Sequence, residues 1–186
     1  MSTSTRVTVA QYDAMVRRGD FEPREDHHVE LIYGEISAMS PINPPHDDSV
    51  DKVAEWSFDN TSRETVRVRV QGSVGIPDLD SAPQPDVVWL KRRDYATRRP
   101  SPADVLLVIE VSDSSLPKDR GLKARLYAEA GIADYWVVNL PGRCVEVHRD
   151  PQGPAYRSVE VFTAGQEVRP LAFPEVALPV DRIFPA

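Results

Sequence analysis

The sequence predicts an α/β (α+β) domain in which a mixed β-sheet carries helices against it. Three observations predict this. Val105 to Val111 is an almost unbroken apolar run, the signature of a strand covered on both faces. Lys118 to Ala130 follows as a strong helix closed by Gly131, and Tyr135-Trp136-Val137-Val138-Asn139 comes next, so strand, crossover helix and strand succeed one another. Finally, Val66, Val68 and Val70 alternate with Arg67 and Arg69, the pattern of a half-exposed strand.

The remaining elements follow in order. Thr8 to Arg17 is a short amphipathic helix with Thr8 as its cap and Gly19 near its end. Val29 to Ile32 and Glu35 to Met39 are strands around a Tyr33-Gly34 turn, after which Pro41 to Pro45 breaks regular structure. From Asp47 to about Thr61, Val50, Val53, Ala54 and Phe58 recur at helical spacing. Gly72 to Pro85 is rich in Gly, Pro, Asp and Ser and reads as a surface loop delivering the chain into a strand from Asp86 to Leu90. Ser112 to Ser115 supplies cap residues for the crossover helix, and Pro117 suits its first turn. Pro141-Gly142 turns the chain back into Cys144 to His148, and Ser158 to Phe162 continues the strands. The 186 residues suit one domain, residues 1–186, with a short N-terminal helix at about 8–18 and a strand-rich C-terminal extension from about 143 to 186.

Composition excludes several classes. No stretch has the apolar length needed to cross a bilayer, and Met1 to Arg6 lead into polar residues without a secretory segment, so a cytoplasmic protein with no membrane partner is expected. Cys144 is the one cysteine, which rules out an internal disulfide and a thiolate-rich zinc site. A net charge of -7 argues against an indiscriminate nucleic-acid coat. Basic patches nevertheless exist: Lys91, Arg92, Arg93, Arg98 and Arg99 follow the Asp86 strand, and Arg63, Arg67 and Arg69 precede it. A solvated loop and a charge-protected strand edge compete with a phosphate track as readings of them.

Chemistry concentrates on two acids and a lysine. Asp86 opens one apolar run and Glu110 ends another, so on neighbouring strands both carboxylates would lie in or beside the core, a costly placement unless a cation or hydrogen bonds compensate. Magnesium takes one or two carboxylates together with waters and substrate phosphate. Such an ion could activate water, and a lysine could orient or help deprotonate the nucleophile and offset charge in the transition state. Lys123 is the candidate. Leu122 and Leu126 form the predicted buried stripe of its helix, and Arg120, Lys123 and Tyr127 share the neighbouring face. An ordinary solvent-facing lysine is the competing reading.

Together, Pro85-Asp86, Val108-Ile109-Glu110-Val111-Ser112-Asp113-Ser114-Ser115-Leu116, Asp119-Arg120, Lys123, Tyr127 and Gly131 to Val138 resemble the Uma family of restriction endonucleases, a branch of the PD-(D/E)XK nuclease superfamily. Val29 to Ile36 followed by Met39-Ser40-Pro41 is similar to that family's N-terminal signature, so the resemblance runs from about Thr8 to the C-terminus. It implies a restriction-endonuclease-like core, dependence on Mg²⁺ with Mn²⁺ able to substitute, and DNA as substrate. It also implies that Asp86 and Glu110 hold the metal, with Lys123 completing the catalytic set; Glu30 is an accessory acid near the metal or, equally, a strand-end carboxylate satisfied by backbone or arginine. One position departs from the superfamily pattern: Ser112 stands two residues after the second acid, where a lysine is expected, and Lys123 on the following helix matches its relocated place. With DNA as substrate, Lys91, Arg92, Arg93 and Arg120 are the candidate backbone contacts; the apolar segment Leu171 to Phe184 packs on its own core or on a second subunit, which leaves a homodimer open.

Other residues read more plainly. His27 and His28 read as a solvated loop pair ahead of a metal site, His46 as a cap or surface residue whose loop could also bring it to the pocket, and Asp113 and Asp119 as caps of the crossover helix ahead of ligands. Trp89 and Trp136 belong to the core. Two alternatives to the endonuclease stand: an inactive nuclease-like binding or regulatory module, and a metal-dependent hydrolase of small phosphorylated compounds.

Overall fold

The strand expected to be covered on both faces is β5, Val105–Ser112, and it lies near the middle of a six-stranded sheet in the computed structural model, which describes residues 6–21, 29–38 and 43–184. Its neighbours are β4, Val87–Lys91, antiparallel to it, and β6, Asp134–Asn139, parallel to it. β3, Val66–Val70, completes one edge; β7, Cys144–Gln152, and β8, Ala155–Phe162, extend the other, giving the order β3-β4-β5-β6-β7-β8. The parallel pair requires a crossover, which the helical segment between β5 and β6 supplies. This is the mixed α/β architecture that the sequence predicts.

Alternation along the strands divides the core. Leu107, Ile109 and Val111 of β5 face one layer with Trp89, Trp136, Val145 and Val147, under helix α2, Pro44–Asp59. Trp56 of α2 stacks on Trp89 with centroids 5.2 Å apart. The C-terminal segment joins this layer through two short strands, β9, Glu167–Val168, and β10, Leu178–Pro179, with Val180, Ile183 and Phe184 buried there, so it packs on its own core. Val108 faces the opposite layer with Val88, Leu90, Tyr135 and Val137, under the crossover helix. Glu110 and Ser112 share that second face, because side chains alternate along a strand.

A smaller unit covers the carboxylate end. Helix α1, Val9–Arg18, begins at a Thr8–Gln11 capping box and ends at Gly19 in the left-handed conformation. β1, Val29–Ile32, and β2, Glu35–Ala38, form a hairpin whose turn needs positive φ at Tyr33 and Gly34. Val9, Tyr12, Leu31 and Ala82 pack together beneath them.

Several expectations are corrected. α2 starts at Pro44 with Asn43 as its cap; Pro44 and Pro45 open the helix, where missing N–H groups do no harm, instead of breaking the chain. Phe58 is exposed, and Ser57 takes the buried position one residue earlier. Residues 72–85 are not a surface loop: Val74, Ile76, Ser81 and Ala82 are buried, and Ala82 N–H bonds Leu31 O at 2.7 Å. The crossover helix starts at Leu116 and is not one α-helix. It comprises α3, Leu116–Lys118, a π-helical turn, Asp119–Lys123, and α4, Ala124–Glu129; Ser115 at its start makes no side-chain cap bond. The wider turn shifts the helical phase, so Leu122 is exposed while Lys123 is buried with Leu126. His27, His28 and the Met39-Ser40-Pro41 motif lie outside the described residues.

Candidate active site

Register brings the two acids together. Val87 pairs with Ile109 across β4 and β5, which sets Asp86, immediately before β4, beside the Glu110–Val111 end of β5. Asp86 Oδ2 accepts from Val111 N–H at 2.8 Å. Both carboxylates are buried. From the helical side, Lys123 Nζ donates to Glu110 Oε1 at 2.9 Å, and Tyr127 O–H donates to the same oxygen at 2.8 Å.

Two further acids complete a buried cluster. Glu30 Oε2 lies 3.7 Å from Lys123 Nζ, while its Oε1 accepts from Lys118 Nζ at 2.7 Å. Asp119 Oδ1 also lies 3.7 Å from Lys123 Nζ, and its Oδ2 accepts from Ser112 Oγ at 2.8 Å. Asp119, Lys123 and Tyr127 recur every four residues and are all buried, so the π turn and α4 present one continuous polar seam to β5. His46, from the first turn of α2, places Nε2 3.5 Å from Asp86 Oδ2.

Surplus negative charge governs the electrostatics. Glu30, Asp86, Glu110 and Asp119 face the ammonium groups of Lys123 and Lys118 in a region largely closed to water. Burial pushes the Glu110 carboxyl well above the usual carboxylate range; Lys123 opposes that, and Asp119, Asp86 and Glu30 reinforce it. Burial alone would lower the Lys123 ammonium, yet Glu110, Glu30, Asp119 and Asp86 outweigh it and hold the group above the ordinary lysine value. Burial likewise raises the Tyr127 hydroxyl, helped by Glu110. For His46, burial works downward, but the Asp86 hydrogen bond and charge leave the imidazole raised.

The expected set Asp86, Glu110, Lys123 and Glu30 is thus brought to one place. Of the expected DNA contacts, Lys91, Arg92 and Arg93 are not, whereas Arg120 stands in the π turn with Asp119 and Lys123. Lys91 lies at the other end of β4 from Asp86, about 16 Å along the strand at roughly 3.3 Å per residue. There Lys91 bonds Ala103 O, and Arg93 pairs with Asp104. Arg92 follows Lys91 at that same end. Arg120 belongs to the π turn and pairs with Glu146, Nε to Oε2 at 2.8 Å, which Asn139 also holds.

Three residues outside the expected set prove to be neighbours of the acids. Asp119 is a buried partner of Lys123 and Ser112, not a cap; its spacing of four from Lys123 was the available signal. His46 reaches Asp86 instead of the surface. Lys118, unremarked in the sequence, neutralises Glu30. Asp113 accepts from the Asn43 side chain at 2.7 Å.

The donor set suits a hard cation. Among the described residues no three His, Cys, Asp or Glu side chains are placed to hold a metal alone. A small divalent ion, however, is commonly held by one or two carboxylates with water and substrate phosphate. The surplus of buried carboxylate charge over ammonium charge is what such an ion would relieve. The residues present therefore fit it.

Comparison with known proteins agrees with the architecture. The chain matches the family described as "Uma2: Putative restriction endonuclease" over residues 9–181. Among solved structures it is similar to one described as a putative nuclease belonging to DUF820 from Anabaena variabilis, with a TM-score of 0.71 and 15% sequence identity, covering 96% of this chain and 97% of that one. No curated protein matches.

Proposed function

This chain belongs to the Uma2 family, and from that premise we propose that it is a metal-dependent DNA endonuclease hydrolysing phosphodiester bonds. Its family and nuclease-like fold support a nuclease. What carries the reading is the Lys123 ammonium, held in the core at 2.9 Å from Glu110 Oε1 and presented to the end of β5 that Asp86 also reaches. No helix among the described residues is long and apolar enough to cross a membrane.

Asp86 and Glu110 would hold Mg²⁺, for which Mn²⁺ can substitute. Bound there, the ion would lower the pKa of a coordinated water and polarise the phosphoryl oxygens. Lys123 acts as a donor. The acids around it favour its charged form, which suits the role that offsets negative charge on the phosphodiester. Tyr127 O–H fixes the Glu110 carboxylate and Val111 N–H fixes Asp86, so neither acid reorients as charge develops. Glu30, occupied by Lys118 and Gln84, serves as a counter-charge that keeps Lys123 protonated.

Supercoiled plasmid incubated with Mg²⁺ or Mn²⁺ tests this. Nicking or cutting that chelator stops and Glu110→Ala removes is the expected result. Equal cutting by variant and parent would overturn the assignment, and metal-independent DNA binding without cutting would favour a nuclease-like binding module.

A further inference from the structure

We propose that the cleft between the β1–β2 hairpin and the crossover helix is a binding groove for the sugar–phosphate backbone of one DNA strand, seated on Arg6, Lys118 and Arg125. The choice of DNA as occupant rests on the endonuclease reading. The cleft has a volume of about 420 Å³, and its lining carries these three cations against one acid, Glu35. In a chain of net charge -7 these cations gather on one cleft, Lys118 beside Glu30 and Arg125 beside Glu129, and present the donors that a phosphate oxygen bonds.

The groove is continuous with the acids. Lys118 lines it and also donates to Glu30 Oε1, which belongs to the buried cluster. Across the hairpin, Ser37 pairs in register with Glu30. Its hydroxyl is buried and has no hydrogen-bond partner among the described residues, although it lines the cleft. A buried hydroxyl without an acceptor is costly, and a phosphate oxygen is the acceptor this position suits.

The other walls suit a nucleotide strand as well. Leu122, displaced outward by the π turn and 42% exposed, faces the cleft with Tyr33 and offers apolar surface to deoxyribose. Arg125, itself exposed, lies over the Tyr33 ring at 5.7 Å; its partner Glu129, at 3.0 Å, also accepts from Tyr33 O–H, so it keeps a donor when Arg125 turns to phosphate. The cluster at the far end of β4 has no such access to the acids: Arg93 and Arg98 pair with Asp104, and Arg99 with Asp13.

The test combines Arg6→Gln with Arg125→Gln. Binding of a labelled DNA duplex is followed by anisotropy in chelator as salt is raised, and hydrolysis of bis(p-nitrophenyl) phosphate is followed with Mn²⁺. Each phosphate contact contributes about 0.9 to the slope of log affinity against log salt, so losing two makes the loss of affinity between about 50 and 200 mM salt roughly tenfold smaller than in the parent. Hydrolysis of the small ester should be unchanged. An unaltered slope and affinity overturn the groove while leaving the endonuclease intact, and so does a parent that binds no DNA. Loss of ester hydrolysis alongside DNA binding also overturns it, by assigning the arginines to the reacting centre. Groove-dependent binding by a parent that cuts nothing supports the groove and removes the endonuclease.

Discussion

Replacing Lys123 by methionine removes a buried charge while keeping an unbranched chain of similar length. The ammonium lies 2.9 Å from Glu110 Oε1 and 3.7 Å from both Glu30 Oε2 and Asp119 Oδ1, so its loss leaves buried carboxylates uncompensated. Breaking a buried pair from one side costs about 3–5 kcal/mol, whereas a volume-conserving exchange costs less than about 1.5. Unfolding entropy scaled to 186 residues gives about 0.4 kcal/mol per degree, so the melting temperature should fall by roughly 8–13 °C near neutral pH in chelator. The sign with pH follows from the acids. In the parent they raise the folded Lys123 value above its unfolded 10.5, so the lysine's own contribution is complete below that pH and is lost only as pH rises through the folded value. On the acid side the gap between variant and parent instead follows the carboxylates, and it narrows as they take up protons and cease to need the ammonium. Circular-dichroism melts at about pH 7.5 and about pH 4.5 read both effects. A variant as stable as the parent at the higher pH refutes the charged-lysine account, and a gap equally large at the lower pH assigns the loss to packing.

Glu110→Gln keeps an oxygen for Tyr127 and Lys123 but removes a carboxylate whose folded value is raised by burial; such a group favours the fold below its unfolded 4.5 and loses that contribution as pH rises through the raised value. The variant should therefore melt about 1–5 °C above the parent near neutral pH in chelator, with DNA cutting down at least about a hundredfold; a lower melting temperature counts against the surplus-charge account. Deleting Gly121 takes one residue from the π turn and changes the helical phase before Lys123, so that Asp119 stands three residues from it instead of four and Lys118 shifts with it. Helical circular dichroism should persist while cutting falls by about a hundredfold or more, and a deletion variant that cuts at the parental rate would show that the turn has no part in placing the lysine.

Much of this architecture is legible from residue pattern because burial leaves few alternatives. A strand covered on both faces must be apolar throughout, so Val105 to Val111 announces β5, and an acid ending such a run, as Glu110 does, is visible at once. The Thr8 cap and the Gly19 stop are legible for a local reason, since each satisfies backbone groups within a turn of itself. Residues 72–85 fail the same approach because Gly, Pro and Asp mark an irregular backbone without saying whether it is covered; Val74, Ile76 and Ala82 are buried by the hairpin, the sheet and α1, which are distant in sequence. The basic patch misleads differently. Lys91 is five positions from Asp86, and in an extended strand those positions lead away from the acids, so closeness in sequence becomes separation in space.

The site's own departure from pattern is the more instructive one. A regular α-helix predicts Leu122 and Leu126 on the core side, with Lys123 beside them, and places Asp119 at the start of a helix as a cap. The π turn cancels that phase: it exposes an apolar leucine and brings an aspartate and a lysine inward in its place. Neither exchange favours folding by itself, since one forgoes apolar burial and the other takes charges out of water. Local rules broken at a loss, in the one turn that faces two buried strand carboxylates, are what a site shaped by chemistry leaves in a fold. The irregular turn also joins the acid cluster to the cleft, because the same shift that sets Lys123 against Glu110 puts Leu122 on the cleft wall.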